Sequence, residues 1–259
     1  VIDEDNSTPQ RTPTPAQTNI TSTTGESFWT GALSAWGVSL AKLGLSVETL
    51  PSSGSITYGT TTNLQDLKNY DVFVVDEPNT VFSAAEKTAI INFVKNGGGL
   101  FMIADHTQSD RNGDGWDSPA IWNDLMKNNT VQQNPFGFSF DLLDFSETSY
   151  NVSTVSNPIS GGSQGAVSGI KFSNGTSMTL TTGGAAKGVI WRSGSTQSTS
   201  RVMVAYSTYG TGKVVAIGDS SPADDGTGAP NNILYTGWTE LGTNHPRLHL
   251  NATLWLARL

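Results

Sequence analysis

The chain reads as an α/β protein built on a mostly parallel sheet, and three stretches carry that reading. Val72-Phe73-Val74-Val75 and Leu100-Phe101-Met102-Ile103-Ala104 are unbroken apolar runs of strand length, the pattern of strands covered on both faces. Between them, Ser83-Ala84-Ala85-Glu86 forms a capping box, in which the serine oxygen and the Glu86 carboxylate satisfy free amides of a first helical turn. Ala89, Ile90, Phe93 and Val94 then recur at helical spacing until Gly97-Gly98-Gly99 stop the helix, glycine taking the left-handed terminal conformation without a Cβ clash. Strand, helix and strand joined by short links make a right-handed βαβ unit.

The other elements follow in order. Residues 1–24 are polar and proline-punctuated, with Thr12-Pro13-Thr14-Pro15 the stiffest part, and read as an extended arm. The alternative is that Val1-Ile2 begins a short first strand ending in Asp3-Glu4-Asp5. Residues 25–259 read as a single domain. Phe28, Leu33, Trp36, Leu40 and Leu43 mark a core-facing helix over 26–43 that Gly44 ends, and residues 45–50 alternate as a strand should. The second apolar strand, over 70–77, ends in Asp76-Glu77. Ile121, Trp122 and Leu125 place a short helix over 120–126. Residues 131–200 change character, with many Gly, Ser and Thr and short β-like runs such as Met178-Thr179-Leu180, and read as a β-rich insertion. Strands over 201–206 and 213–218 form a hairpin across Tyr209-Gly210-Thr211-Gly212. Asn244-His245-Pro246 opens a last helix with Leu248, Ala252, Trp255 and Leu256 on its apolar face.

Composition narrows the function classes. The 259 residues include no cysteine, which excludes disulfides, thiolate ligands and a cysteine nucleophile. Fourteen Lys and Arg stand against 22 Asp and Glu, a formal charge of -8, which argues against a nucleic-acid surface and for cations or neutral polymers as partners. No apolar run approaches the roughly 20 residues of a membrane span. The Ser/Thr/Asn/Gly-rich, lysine-poor composition suits a secreted or periplasmic protein whose signal has been removed. Sequons at Asn6, Asn19, Asn128, Asn151, Asn174 and Asn251 follow from the abundance of those residues.

Chemistry concentrates after Ala104. Asp105, His106, Asp110, Asn112, Asp114, Asp117 and Ser118 fall within fourteen positions, just past a strand end, where parallel sheets collect ligands. His106, beside Asp105 and with Glu77 and Asp219 expected at neighbouring strand ends, has the makings of a general base with carboxylates to orient it or act as acid. Asp110-Arg111-Asn112-Gly113-Asp114-Gly115 fits D-x-N-x-D-G, the opening of a calcium loop, with Asp117 nearby; the twelfth position is Ile121 instead of a bidentate glutamate, which excludes an EF-hand. The alternative is a pair of Asn-Gly and Asp-Gly turns. His245 and His249, one helical turn apart, have zinc-ligand spacing that Asp105 or Asp219 would complete, against the alternative of a capping and a packed histidine. Ser220 and Ser221 follow a strand, in a Gly218-Asp219-Ser220 string similar to that of GDS serine hydrolases. Trp116, Trp122, Tyr235 and Trp238 flank these loops and would either stack on sugar rings or pack beneath the loops.

The series LKNYDVFVVDEPN, FSAAEKTAIINFVKNGGGLFMIADH, NPISGG, YGTGKVVAIGDSS and NHPRLHLNATLWLA resembles the glutamine-amidotransferase-like superfamily, nearest its trehalose-utilisation (ThuA-like) branch, over about residues 49–259. The resemblance implies a flavodoxin-like three-layer sandwich, in a superfamily of amidotransferases, peptidases, sugar-related proteins and binding domains. Its catalytic members carry a cysteine where this chain has Ala104-Asp105-His106, so thioester hydrolysis of glutamine is excluded; His106 matches a histidine of the ThuA-like proteins, and Asp219 stands where they have a second. The resulting expectation is a secreted hydrolase of an extracellular carbohydrate or related polymer. It would use His106, Asp105, Asp219 and Glu77 beside a loop holding a divalent cation, calcium by its spacing, with Trp116, Trp238 and Ser220 meeting substrate and no nucleotide or redox cofactor. The alternatives are a non-catalytic binding or scaffold module of the same fold, and a metal-dependent phosphodiesterase or nuclease, which the shortage of basic residues disfavours.

Overall fold

The computed structural model describes residues 2–4, 33–50, 54–226 and 236–259, and four α-helices and twelve strands occur among them. Five strands run parallel: β1 (Ile2–Glu4), β2 (Thr49–Leu50), β3 (Val72–Asp76), β4 (Gly99–Ile103) and β12 (Gly212–Ile217). They lie side by side as β2-β1-β3-β4-β12, which in chain order is the 2-1-3-4-5 arrangement of doubly wound sheets. The register brings Asp76, Ile103 and Ile217 level, so β3, β4 and β12 end together and deliver their next residues to one edge.

The remaining strands of this sheet are antiparallel. β11 (Val202–Tyr209) folds back on β12 through the two-residue turn Gly210-Thr211, as the hairpin signal predicts. β10 (Lys187–Trp191) and β7 (Asn151–Val152) extend it outward, and β9 (Met178–Leu180) joins β11 and carries β5 (Phe138–Phe140). β6 (Phe145–Ser149) and β8 (Ile170–Gly175) form a separate two-stranded sheet. The predicted mostly parallel sheet is therefore corrected to a mixed one. Residues 131–200 are β-rich, as their composition predicts, but four of their six strands join the main sheet beside β11, and short alternating strands carry no local signal of where they attach.

Helices α2 (Ala84–Lys95) and α3 (Ser118–Lys127) cover one face; α1 (Ser34–Lys42) and α4 (His245–Ala257) cover the other. Phe73, Val75, Leu100, Met102, Val214 and Ala216 point to the first pair, and Val74, Phe101, Ile103, Val215 and Ile217 to the second. Cover on both sides is why these strands read as continuous apolar runs; burying each such side chain contributes roughly 1.5–3 kcal/mol. The capping box of α2 is formed, with Glu86 N–H on Ser83 Oγ and Ser83 N–H on Glu86 Oε2. Of the glycines that follow, Gly97 takes φ +116°, while Gly99 is required for space, since a Cβ there would lie 2.7 Å from that of Leu256 on α4.

Three local readings change. Of the arm over 1–24, Ile2–Glu4 forms the alternative first strand, inserted between β2 and β3; residues 1 and 5–32, including the first part of the helix predicted over 26–43, lie outside the described residues. Only Thr49–Leu50 of the strand predicted over 45–50 is a strand. Asn244 stands at the start of α4 without capping it, because its Oδ1 accepts from the Ser168 amide and hydroxyl at 2.9 and 2.6 Å.

Candidate functional site

At the shared end of β3 and β4, charge is organised by a residue the motif reading passed over. Arg111 donates from Nε to Glu77 Oε1 at 2.6 Å and from Nη2 to Asp105 Oδ2 at 2.8 Å, joining the two strand-end carboxylates, both buried. Such charge-assisted bonds are the strong ones. Glu77 has φ +48°, a left-handed conformation uncommon for a residue with a side chain, and its amide is held by the Ile103 carbonyl at 3.0 Å. The strained position thus follows β3, not the Ala104-Asp105-His106 turn after β4. Asn79 accepts the Arg111 amide, and Ser220 Oγ, arriving from β12, donates to Glu77 Oε2 at 3.2 Å. Ser220 is buried, and its hydroxyl is spent on the Glu77 carboxylate.

Asp105 is further fixed by its surroundings: its amide donates to Ser118 Oγ at 2.7 Å, and its Oδ1 accepts the His106 amide at 2.8 Å. The His106 ring, 20% exposed, turns elsewhere. Nδ1 donates to the Thr107 carbonyl at 2.5 Å and lies 3.6 Å from Asp144. Asp219 is fully buried and accepts the Ser173 and Ser221 amides at 2.5 and 2.8 Å. Burial pushes its carboxyl up to about 7 against those two amides, and the Asp224 charge adds to the rise. The expected partnership of His106 with Asp219 is therefore not made. Glu77 and Asp105 do come together, through Arg111. The signal for Arg111 was present: it is the one cation in a stretch holding Asp105, Asp110, Asp114 and Asp117.

The aspartate loop is closed by its own backbone. Asp110 accepts the amides of Gly113, Asp114 and Gly115, Asn112 Oδ1 that of Asp114, and Asp114 Oδ1 that of Trp116. Asp117 departs from the predicted ligand set: it caps α3 through Ala120 N–H and takes Thr107 Oγ1 and Gln108 N–H on its other oxygen. Among the described residues, no three Asp, Glu or His side chains converge as a metal site.

The zinc pair is also corrected. His245 Nδ1 donates to the Gly237 carbonyl at 2.6 Å and its Nε2 accepts the Lys171 amide at 3.0 Å, so neither nitrogen is open to a metal. His249 Nδ1 donates to the His245 carbonyl at 2.7 Å, and its ring lies among Trp36, Phe101 and Trp238, with Nε2 buried and without a partner among the described residues. Burial draws the two histidines down to about 4 and about 3. Trp238 is buried in this cluster and is removed from the ligand-stacking set; Trp122 is buried too, its Nε1 donating to the Ile103 carbonyl. Trp116 is 38% exposed, and Tyr235 lies outside the described residues.

A cavity of about 450 Å³ opens at the opposite end of the sheet, where β3 begins, among Leu40, Leu45, Val47, Glu48, Tyr70 and Val72. Within it Tyr70 Oη donates to Glu48 at 2.5 Å, and none of the strand-end acids Glu77, Asp105 and Asp219 lines it.

No protein-family model matches the chain, and no curated protein matches it. Among solved structures, the mmIFT52 N-terminal domain aligns with a TM-score of 0.58 at 13% identity, over 99% of this chain and 97% of that one. Cytoplasmic Protein STM3548 from Salmonella typhimurium aligns at 0.54 and 14% identity, over 88% of each chain. A putative ThuA-like protein from Parabacteroides merdae aligns at 0.48 and 14% identity, over 86% of this chain and 82% of that one, a score too low to bear an argument. At such identities the likeness is one of fold, and the first two share it over 99% and 88% of this chain.

Proposed function

We propose that the chain is a recognition module for a neutral, hydroxyl-rich ligand, a glycan in the first instance, held at the Glu77–Arg111–Asp105 edge of a flavodoxin-like sheet. The observation that carries this reading is the guanidinium shared by two buried carboxylates. Glu77 and Asp105 fix the guanidinium at the sheet edge, where the Arg111 side chain is 33% exposed. A planar cation held in this way suits the hydroxyls of a sugar, and Trp116 in the adjoining loop offers a ring face. The loop over 110–117 is proposed to take a divalent cation, calcium by its D-x-N-x-D-G spacing, through Asp110, Asn112 and Asp114. An extracytoplasmic location fits the Ser/Thr/Asn/Gly-rich, lysine-poor composition.

Hydrolysis of the same ligand class is the second reading, favoured by one observation: the Asp219 carboxyl, at the same edge, is pushed up to about 7, where it exchanges protons near neutrality. Calorimetry against a panel of neutral oligosaccharides separates the two. The module reading expects binding without turnover, weakened at least about tenfold in Asp105→Asn, the loss of one charge-assisted hydrogen bond. Turnover that disappears in a folded His106→Ala variant would replace it with the hydrolase. Calcium binding unaffected by Asp114→Ala would remove the cation from the proposal.

A further inference from the structure

His245 opens α4 with both ring nitrogens committed. Because Nδ1 donates to the Gly237 carbonyl, Nε2 holds the lone pair and receives the Lys171 amide. One imidazole thus ties together α4, the turn Gly237–Thr239 and β8. The residue is 1% exposed and forms a wall of a polar cavity of about 290 Å³, with Lys171, Ser173, Ser221, Thr236 and Glu240 as further lining.

We propose that His245 is an acid-sensitive latch: a proton on Nε2 turns the acceptor of the Lys171 amide into a donor facing it, frees the turn over 237–239 from β8, and opens the cavity to solvent. The contact cannot survive protonation in its present form, since two N–H groups would meet at 3.0 Å.

The surrounding charges set the direction. On β8, Lys171 pairs with Glu240 at 3.1 Å, and the two act on the ring in opposite senses: Glu240 favours the imidazolium and Lys171 opposes it. On α4, His249 lies one turn on, fully buried and drawn down to about 3, chiefly by burial. Arg247 is directed away, to the Ala166 carbonyl. Behind the cavity, Asp219 accepts the Ser173 and Ser221 amides, and the Asp224 charge helps to raise its carboxyl. Burial dominates, drawing His245 from 6.5 to about 4. A depressed histidine leaves the closed state at full strength above 6.5, the value in the open state, and weakens it as pH falls toward 4. Between pH 7.5 and 4 the opening equilibrium grows by up to about tenfold per pH unit, on the order of 150-fold in all.

The test is amide hydrogen exchange on the full chain between pH 7.5 and 4, with rates corrected for intrinsic pH dependence, in the wild type and in His245→Gln. Glutamine keeps an oxygen able to accept the Lys171 amide and removes the titration. The latch expects protection of the Lys171 and Trp238 amides to fall on the order of 150-fold while β3 and β4 amides hold, and expects less than about threefold change in the variant. Lys171 protection that follows β4 throughout, or a variant with the wild-type pH dependence, overturns it. Should the variant not fold, the ring nitrogen shifts of wild-type His245 decide: a midpoint well below 6 supports the latch, and one near 6.5 overturns it.

Discussion

At the ends of β3 and β4, Glu77 and Asp105 share the Arg111 guanidinium, whereas at the end of β12 and the start of α4 burial pushes Asp219, His245 and His249 toward their neutral forms. The two clusters occupy the same edge of the sheet and are linked by Ser220, which follows Asp219 in sequence and donates to Glu77. Pairing permits ionised groups to face a ligand, because the desolvation cost is offset by a partner. Burial alone gives the opposite outcome, a set of groups whose protonation is tied to whether the structure stays closed.

Removing the shared cation should break the comparison most severely. Arg111→Met leaves two carboxylates buried against each other, and a loss of about 3 kcal/mol is expected, at the lower end for a broken buried pair because Arg111 is partly exposed. Urea denaturation measures it, and adding Glu77→Gln should recover part of the loss. A change under about 1 kcal/mol would mean that the cluster is not held by pairing.

The neutral cluster is probed by acid. A raised carboxyl such as Asp219 is a burden on the fold above 7 that is relieved as pH falls toward 3.8, so it gains stability in acid; the depressed histidines lose stability from 6.5 down to about 4 and about 3. Below 6.5, two losses oppose one gain, a net fall of about 1.4 kcal/mol per pH unit. Denaturation midpoints between pH 6.5 and 5 should show it. In His249→Phe, one loss opposes one gain and the slope should flatten toward zero; an unchanged slope would show that His249 is not among the groups that titrate on unfolding.

The smallest effect is expected at Trp116, which is partly exposed and packs little. Trp116→Ala should alter stability by no more than about 0.5 kcal/mol while weakening oligosaccharide binding. A thermal melt read beside a binding titration separates the two, and affinity unchanged in the variant removes the ring from the ligand site.

Much of the parallel half was legible in the chain, because its signals are local. The capping box at Ser83 and Glu86, the apolar runs of β3 and β4, the Gly210-Thr211 hairpin and the Pro246 helix start each lie within a few residues of one another. The antiparallel half was legible only as strands, since β5, β7, β9 and β10 are short and their neighbours are set by which edge remains open after β11 has folded back. The same limit governs the site. Glu77, Asp105 and Asp219 could be placed at strand ends from the lengths of the apolar runs, but not paired.

What the amino-acid order determined by itself was periodicity, capping and the ends of strands, and hence the presence of acids at one edge of an α/β sheet. Which acids keep their charge was decided only in three dimensions. Arg111 reaches Glu77 across 34 positions and His245 meets the Lys171 amide across 74. Over such separations the meeting of side chains depends on how helices and strands pack, and the local dielectric that sustains or suppresses a charge exists only once that packing is complete.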